Sequence, residues 1–181
     1  MFESGAMTES DGRVIGCVAT TARSKSCQAR QHVHAATRRQ VVVFDIDGTV
    51  SDCRHRLHFL GLKPPQWERF FASSAIDLPL PRGLAIATAL GSRCNIVWLT
   101  GRPERFRTIT MSWLARQGLP TDTVHMRSQS DRRPVAEFKM ERIAEIADQD
   151  DIRLVIDDDD TVVAALRRGG WPVYHAQWST R

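Results

Sequence analysis

The sequence predicts an α/β fold, a doubly wound parallel sheet with a small helical cap inserted into it. Three observations predict it. Short continuous apolar runs read as buried parallel strands, stretches of helical period separate them, and acidic, hydroxyl or basic residues stand directly after most of the runs. A composition of 42% hydrophobic and 25% charged residues fits a globular chain and excludes a disordered or fibrous one. At 181 residues there is room for one ordinary domain and a tail.

Residues 1–39 mix Ser, Thr, Gly, Ala and Gln with scattered charges and show no period, so they are expected to be a disordered tail, with Met7 as an alternative start. Cys17, Cys27, His32 and His34 in this tail match no common zinc spacing. The domain is expected over 40–181. Its first strand is Val41-Val42-Val43-Phe44, running into Asp45-Ile46-Asp47-Gly48-Thr49. The segment 50–81 breaks the alternation; Leu57, Leu60, Trp67, Phe70 and Phe71, with Pro64, Pro65, Pro79 and Pro81, suggest two short helices forming a cap. A helix is expected over 82–91, then the strand Asn95-Ile96-Val97-Trp98-Leu99 leading into Thr100-Gly101-Arg102, and a helix over 103–117. Thr123-Val124-His125-Met126 before Arg127, a helix over 135–148, and Ile152-Arg153-Leu154-Val155-Ile156 before Asp157 continue the pattern. A helix over 160–168 and the strand Trp171-Pro172-Val173-Tyr174 complete it. In such sheets ligands bind beyond the carboxyl ends of the strands, so Asp45, Asp47, Thr100, Arg102 and Asp157 are expected along one edge.

The net charge of +4 is concentrated in the tail, where six Lys/Arg stand against three Asp/Glu. The rest is nearly neutral, which argues against a dedicated nucleic-acid binder. Locally, residues 102–142 hold nine Lys/Arg against five Asp/Glu, an excess suited to a phosphate-rich ligand. Four cysteines without CxxC spacing indicate neither a disulfide framework nor a zinc knuckle, and the N-terminus lacks the apolar core of a secretory signal. A reducing, cytoplasmic setting is expected. No apolar run is long enough to span a bilayer, so no membrane partner is expected.

Cleaving a phosphate ester requires a nucleophile, a proton donor for the leaving oxygen, and positive charge around the phosphoryl group. Asp45 and Asp47, two residues apart at a strand end, would share one side if the pleat continued, and their repulsion calls for a cation, with Mg2+ the natural choice. Asp45 can then remain an ionised nucleophile while Asp47 holds a proton for the leaving group. As a bare tetrapeptide the segment reads better as a turn; the apolar run before it and Thr49 after it shift the reading to the catalytic one. Thr100 and Gly101 offer a hydroxyl and a free backbone to a phosphate, and Arg102 a guanidinium fork, although Thr-Gly-Arg-Pro-Glu also reads as a helix cap. Lys139 alone reads as solvated surface. Of Asp157-Asp158-Asp159-Asp160, the last two suit a helix N-terminus, whereas Asp157 at a strand end suits a metal. His55 and His58 stand at helical spacing, compatible with a metal site but better read as cap surface or packing. Trp67, Phe70 and Phe71 could stack on a base, but at this spacing they read as the cap's own small core.

Together these segments resemble the haloacid dehalogenase superfamily, through Asp45-Ile46-Asp47-Gly48-Thr49, Thr100, Lys139 and Asp157-Asp158. The resemblance implies a Rossmann-like core, Asp45 as nucleophile and metal ligand, and Asp47 as acid/base with its backbone carbonyl on Mg2+. It further implies Thr100 as phosphate ligand, Lys139 as a brace for phosphoryl charge, and Asp157 and Asp158 as metal ligands. The second half resembles the 3′-phosphatase domain of phage-type polynucleotide kinase-phosphatases, in Thr100-Gly101-Arg102, Trp113-Leu114, Arg127 with Asp131, Arg133 and Lys139, and Ile156-Asp157-Asp158. That implies Gly101, Arg102, Arg127 and Arg133 as substrate contacts. The chain departs from the pattern at Asp159, where an arginine is usual, and contains no G-x-x-x-x-G-K-[ST] loop for a kinase half. The expected function is a Mg2+-dependent phosphomonoesterase acting on 3′-phosphates of nucleotides or nucleic-acid ends. The alternatives are a phosphatase for a phosphorylated small molecule or mononucleotide, and a phosphate-binding module without turnover.

Overall fold

The computed structural model describes residues 38–179. The expected tail up to Thr37, with its Cys and His residues and Met7, lies outside the described residues. Arg38 and Arg39, assigned to the tail from sequence, are instead docked on the domain. Arg38 donates to the carbonyls of Ala147 and Asp148, and Arg39 grips Asp150 through two bonds of 2.8 and 3.0 Å. Cations at carbonyls near a helix C-terminus are electrostatically favoured.

Along the chain run β1 (Gln40–Phe44), β2 (Ser51–Asp52), a 3-10 turn (Arg54–Phe59), α1 (Trp67–Ala72), a second 3-10 turn (Ser73–Ile76) and β3 (Leu78–Pro79). There follow α2 (Pro81–Gly91), β4 (Asn95–Pro103), a 3-10 turn (Glu104–Phe106), α3 (Arg107–Arg116) and β5 (Val124–Arg127). Then come α4 (Val135–Gln149), β6 (Asp151–Asp157), α5 (Asp160–Arg168) and β7 (Val173–His175). Five strands form one parallel sheet in the order β5-β4-β1-β6-β7. The doubly wound α/β expectation is met.

Period-two alternation in β1 sends side chains to two separate cores. Val42 and Phe44 pack with Trp98, Ala87, Trp113 and Leu114 on the face covered by α2 and α3. Val41 and Val43 pack with Leu99, Phe138, Ile143, Val162 and Leu166 under α4 and α5. Because both faces are covered, the strands read as unbroken apolar runs. Chain order reverses at β1, between β4 and β6, so the crevice of a switch point opens at their carboxyl ends.

Two boundaries differ from expectation. β4 does not stop at Leu99 but continues to Pro103, which pairs with Arg127 on β5, and the helix begins at Arg107. Pro103 is extended, at φ −64° and ψ 146°, and a proline disfavours helical geometry in the residue before it, so Thr100-Gly101-Arg102 is strand and not a helix cap. The cap segment contains one true helix, two 3-10 turns and an antiparallel ribbon of β2 and β3 that closes its base. Strands of two residues carry no period, which is why the sequence does not reveal them. Gly83 in α2 lets that helix pass the cap's entry, since a Cβ there would lie 1.9 Å from the Thr49 carbonyl oxygen.

Candidate active site

Asp45 follows β1 directly, and its N–H donates to the Ile156 carbonyl at 2.9 Å, carrying the β1–β6 register one residue further. Its side chain is buried, as is that of Asp157 at the end of β6. Lys139, in the first half of α4, reaches between them, and its Nζ donates at 2.6 Å to Asp45 Oδ1 and at 2.6 Å to Asp157 Oδ2. Far from being surface, Lys139 is 4% exposed. Burial alone would lower its pKa, but Asp157 and Asp45 outweigh that and raise it. Burial likewise pushes the Asp45 carboxyl well up; Lys139 opposes this, and Asp157, Asp158 and Asp47 add to it.

One carboxylate oxygen each from Asp45, Asp157 and Asp158 lies within 4.8 Å of the others. Three converging carboxylates suit a hard divalent cation. Asp158 follows β6 directly, and the turn after β1 makes room for its carboxylate. Gly48 adopts φ +82°, and a Cβ there would stand 2.1 Å from Asp158 Oδ2, so only glycine leaves that carboxylate its place. Thr100 and Gly101 complete the wall of a cavity of about 120 Å³ around Asp45, Lys139 and Asp157. Asp159 also borders this cavity, while its side chain caps α5, accepting from the N–H groups of Thr161 and Val162 at 2.8 and 3.2 Å.

Asp47 does not join the carboxylate cluster with its side chain. It is gripped by two fully buried arginines, Arg102 through bonds of 2.5 and 3.0 Å and Arg56 through a short one. Both arginines also bind the buried Asp77, Arg56 at 2.7 and 2.9 Å and Arg102 at 3.2 Å. His55 Nε2 and the Ser51 hydroxyl complete the Asp77 shell, and the Trp113 indole donates to its carbonyl at 2.8 Å. Burial raises the Asp47 pKa, but Arg102 and Arg56 together overcome it and bring it down to about 2. The proton that the sequence reading assigned to Asp47 is therefore disfavoured in this arrangement.

Arg102 is not presented to the acidic cavity; it is buried against Asp47 and Asp77. Arg127 lines an adjoining cavity, whereas Arg133 is turned to Asp131 at 2.8 Å and Glu141 at 2.6 Å. His55 and His58 do not converge on a metal site, for His55 binds Asp77 and His58 Nδ1 donates to the His55 carbonyl. Sequence reasoning missed Arg56 and Asp77. Their signal was present as opposite charges embedded in the apolar stretches at the two ends of the cap.

Removing Arg56 leaves the buried Asp77 and the part-buried Asp47 with Arg102 as the one arginine that bridges them. Arg56→Ala is expected to lower unfolding stability by about 3–5 kcal/mol in chemical denaturation, the usual cost of breaking a buried ion pair. Arg56→Lys should recover only part, because an ammonium cannot bridge two carboxylates as a fork does.

Residues 39–179 match the polynucleotide kinase PNKP phosphatase-domain family of the haloacid dehalogenase class. The chain belongs to this family. It is a phosphatase domain of haloacid dehalogenase type. No curated protein sequence matches the chain. Among solved structures it is similar to a chain of the Pnkp1/Rnl/Hen1 RNA repair complex, at 23% identity and TM-score 0.64, over 76% of this chain and 42% of that one. A second structure of the Pnkp1/Rnl/Hen1 complex matches at 21% and 0.66, over 78% and 47%. This chain thus spans less than half the length of those two chains. The class C acid phosphatase of Bacillus anthracis matches at 16% and 0.58, over 80% and 69%. At these identities the structural likeness is one of fold. Among the described residues no helix is long and apolar enough to cross a membrane.

Proposed function

We propose that this domain is a Mg2+-dependent phosphomonoesterase that works through an aspartyl-phosphate on Asp45 and removes 3′-phosphates from nucleotides or polynucleotide ends. The observation that carries the reading is the convergence of Asp45, Thr100, Lys139, Asp157 and Asp158 on one small cavity at the switch point of the sheet. Residues 40–181 constitute the phosphatase domain and 50–81 its cap. The free thiols of Cys53 and Cys94 suit a reducing, cytoplasmic compartment.

An Asp45 carboxylate oxygen attacks phosphorus, the ester P–O bond breaks, and the leaving oxygen takes a proton from Asp47. Water then attacks the same phosphorus, gives its proton to Asp47, and releases phosphate and free Asp45. Thr100 and Gly101 supply hydrogen bonds to the phosphoryl oxygens, and Lys139 offsets their charge. Asp45, Asp157 and Asp158, with the Asp47 carbonyl, would hold Mg2+. When bound, the ion relieves the repulsion among these carboxylates and polarises the phosphoryl group. The two arginines keep Asp47 ionised, ready for the proton of the attacking water. Its first task, donation, requires that the carboxylate take up a proton from solvent before the ester bond breaks.

Purified protein with Mg2+ should release phosphate from a 3′-phosphorylated oligonucleotide, and EDTA should stop it. A second readout needs no turnover. Mg2+ at roughly a hundred times its Kd should stabilise the wild-type fold by about 3 kcal/mol, and Asp157→Asn should lose most of that gain in thermal melts. A small phosphorylated metabolite as substrate is favoured only by the near-neutral body of the chain. Salt separates the two, since cleavage at a polynucleotide end weakens steeply as salt rises and cleavage of a small ester does not. Binding without turnover would support the non-catalytic module; Asp45 and Asp47 standing intact argues against it.

A further inference from the structure

The acidic cavity adjoins a second, larger one. They share Asp47, Gly101 and Val135. The second holds about 390 Å³ and is lined further by Trp67, Phe71, Arg105, Arg127 and Arg132. A site that needed only a phosphomonoester would have no use for an aromatic wall here.

Trp67 was expected to fill the cap's core with Phe70 and Phe71. Those two are buried, but Trp67 is 53% exposed. Single exposed apolar residues are ordinary, and Ile76 and Leu78 are more exposed still, yet neither lines this cavity. What sets Trp67 apart is that it is both exposed and rigidly mounted. Its ring stacks on Phe71 at 6.0 Å and 23° and meets Phe70 edge-on at 6.1 Å and 83°. The neighbouring Glu68 ties α1 to Arg105 by bonds of 2.6 and 2.9 Å, holding the cap against the end of β4. Across the cavity Arg127 lies 3.5 Å from Asp131, and its Nε and one terminal nitrogen, both buried, have no hydrogen-bond partner among the described residues.

A fixed indole face beside guanidinium groups, next to a phosphate-sized cavity, matches the chemistry of a nucleotide, which brings a planar base and a second phosphate. A sugar or acyl phosphate brings neither. The volume is at the small end of ligand cavities and suits one nucleoside, not a base pair. We propose that this cavity is a terminal-nucleotide subsite in which Trp67 stacks on the base carrying the scissile phosphate, while Arg127 and Arg132 face the preceding phosphodiester. The proposal rests on the 3′-phosphate reading above and adds to it a specificity-determining residue.

The test compares two 3′-phosphorylated oligonucleotides that differ only in whether the terminal residue carries its base or is abasic. The wild-type protein should favour the base-bearing end by about tenfold or more in kcat/KM, chiefly through KM, the scale of one base–aromatic stack. Trp67→Ala should bring that ratio close to one, and Trp67→Phe should keep most of it. The wild-type comparison stands even if the alanine variant folds poorly. Equal turnover of both ends by wild type, or a preference that survives Trp67→Ala, overturns the subsite and leaves the 3′-phosphatase reading intact. Hydrolysis of an aryl phosphate with no hydrolysis of either oligonucleotide refutes the polynucleotide reading and the subsite with it.

Discussion

Asp45→Asn is expected to abolish phosphate release, by about three orders of magnitude or more, with the fold retained. The amide keeps the shape of the carboxylate but not the charge that attacks phosphorus. Because Asp45 is buried within reach of Asp157 and Asp158, the substitution also removes one of three mutually repelling charges. Without Mg2+ the variant should therefore melt no lower than wild type. Lys139 still keeps its 2.6 Å bond to Asp157, so its ammonium is not stranded. The decisive measurement traps labelled phosphate on acid-quenched protein during turnover. Wild type should carry label and Asp45→Asn none. Label on the variant, or undiminished turnover, would place the nucleophile elsewhere.

Lys139→Met should have the second-largest effect, and on stability as well as rate. The methionine fills a similar volume but leaves Asp45 and Asp157 buried without the cation that bridges them. A loss of about 3–5 kcal/mol in EDTA is expected from stranding buried charge. Mg2+ should restore part of it, because the same carboxylates that lose the ammonium would hold the metal. Phosphate release should fall by about a hundredfold or more even in saturating Mg2+, since a fixed positive group beside the phosphoryl oxygens is gone. The double variant Asp45→Asn/Lys139→Met provides the check. It should be more stable than the sum of the single losses predicts, by roughly 0.5–3 kcal/mol, as for residues in direct contact. Additive losses would mean that the bridge does not couple them.

Much of the fold was legible because its signals are local. The apolar run 41–44, the Pro81 start of α2, and the acids that open α5 each report on a few neighbouring residues. The helix over 160–168 and the strand ends at Asp45 and Asp157 were placed within a residue for that reason. The end of β4 was misplaced, since pairing with β5 extends the strand through a segment that is locally compatible with a helix start. Lys139 illustrates the opposite case. As an isolated lysine in an amphipathic helix it looks like surface, and only the packing of α4 against β1 and β6 turns it inward between two carboxylates.

What the sequence by itself determined is the chemistry at the strand ends. A parallel α/β order brings Asp45, Thr100 and Asp157 to one edge, and the residue types there suit a phosphate and a divalent cation. Tertiary structure alone decided how those groups are charged and what surrounds them. The grip of Arg56, Arg102 and Asp77 on Asp47 joins residues from separate elements of the fold. No periodicity encodes such contacts, because they depend on where the cap and the sheet meet in space, and the two arginines gathered at that junction, against the effect of burial, hold the Asp47 carboxyl low.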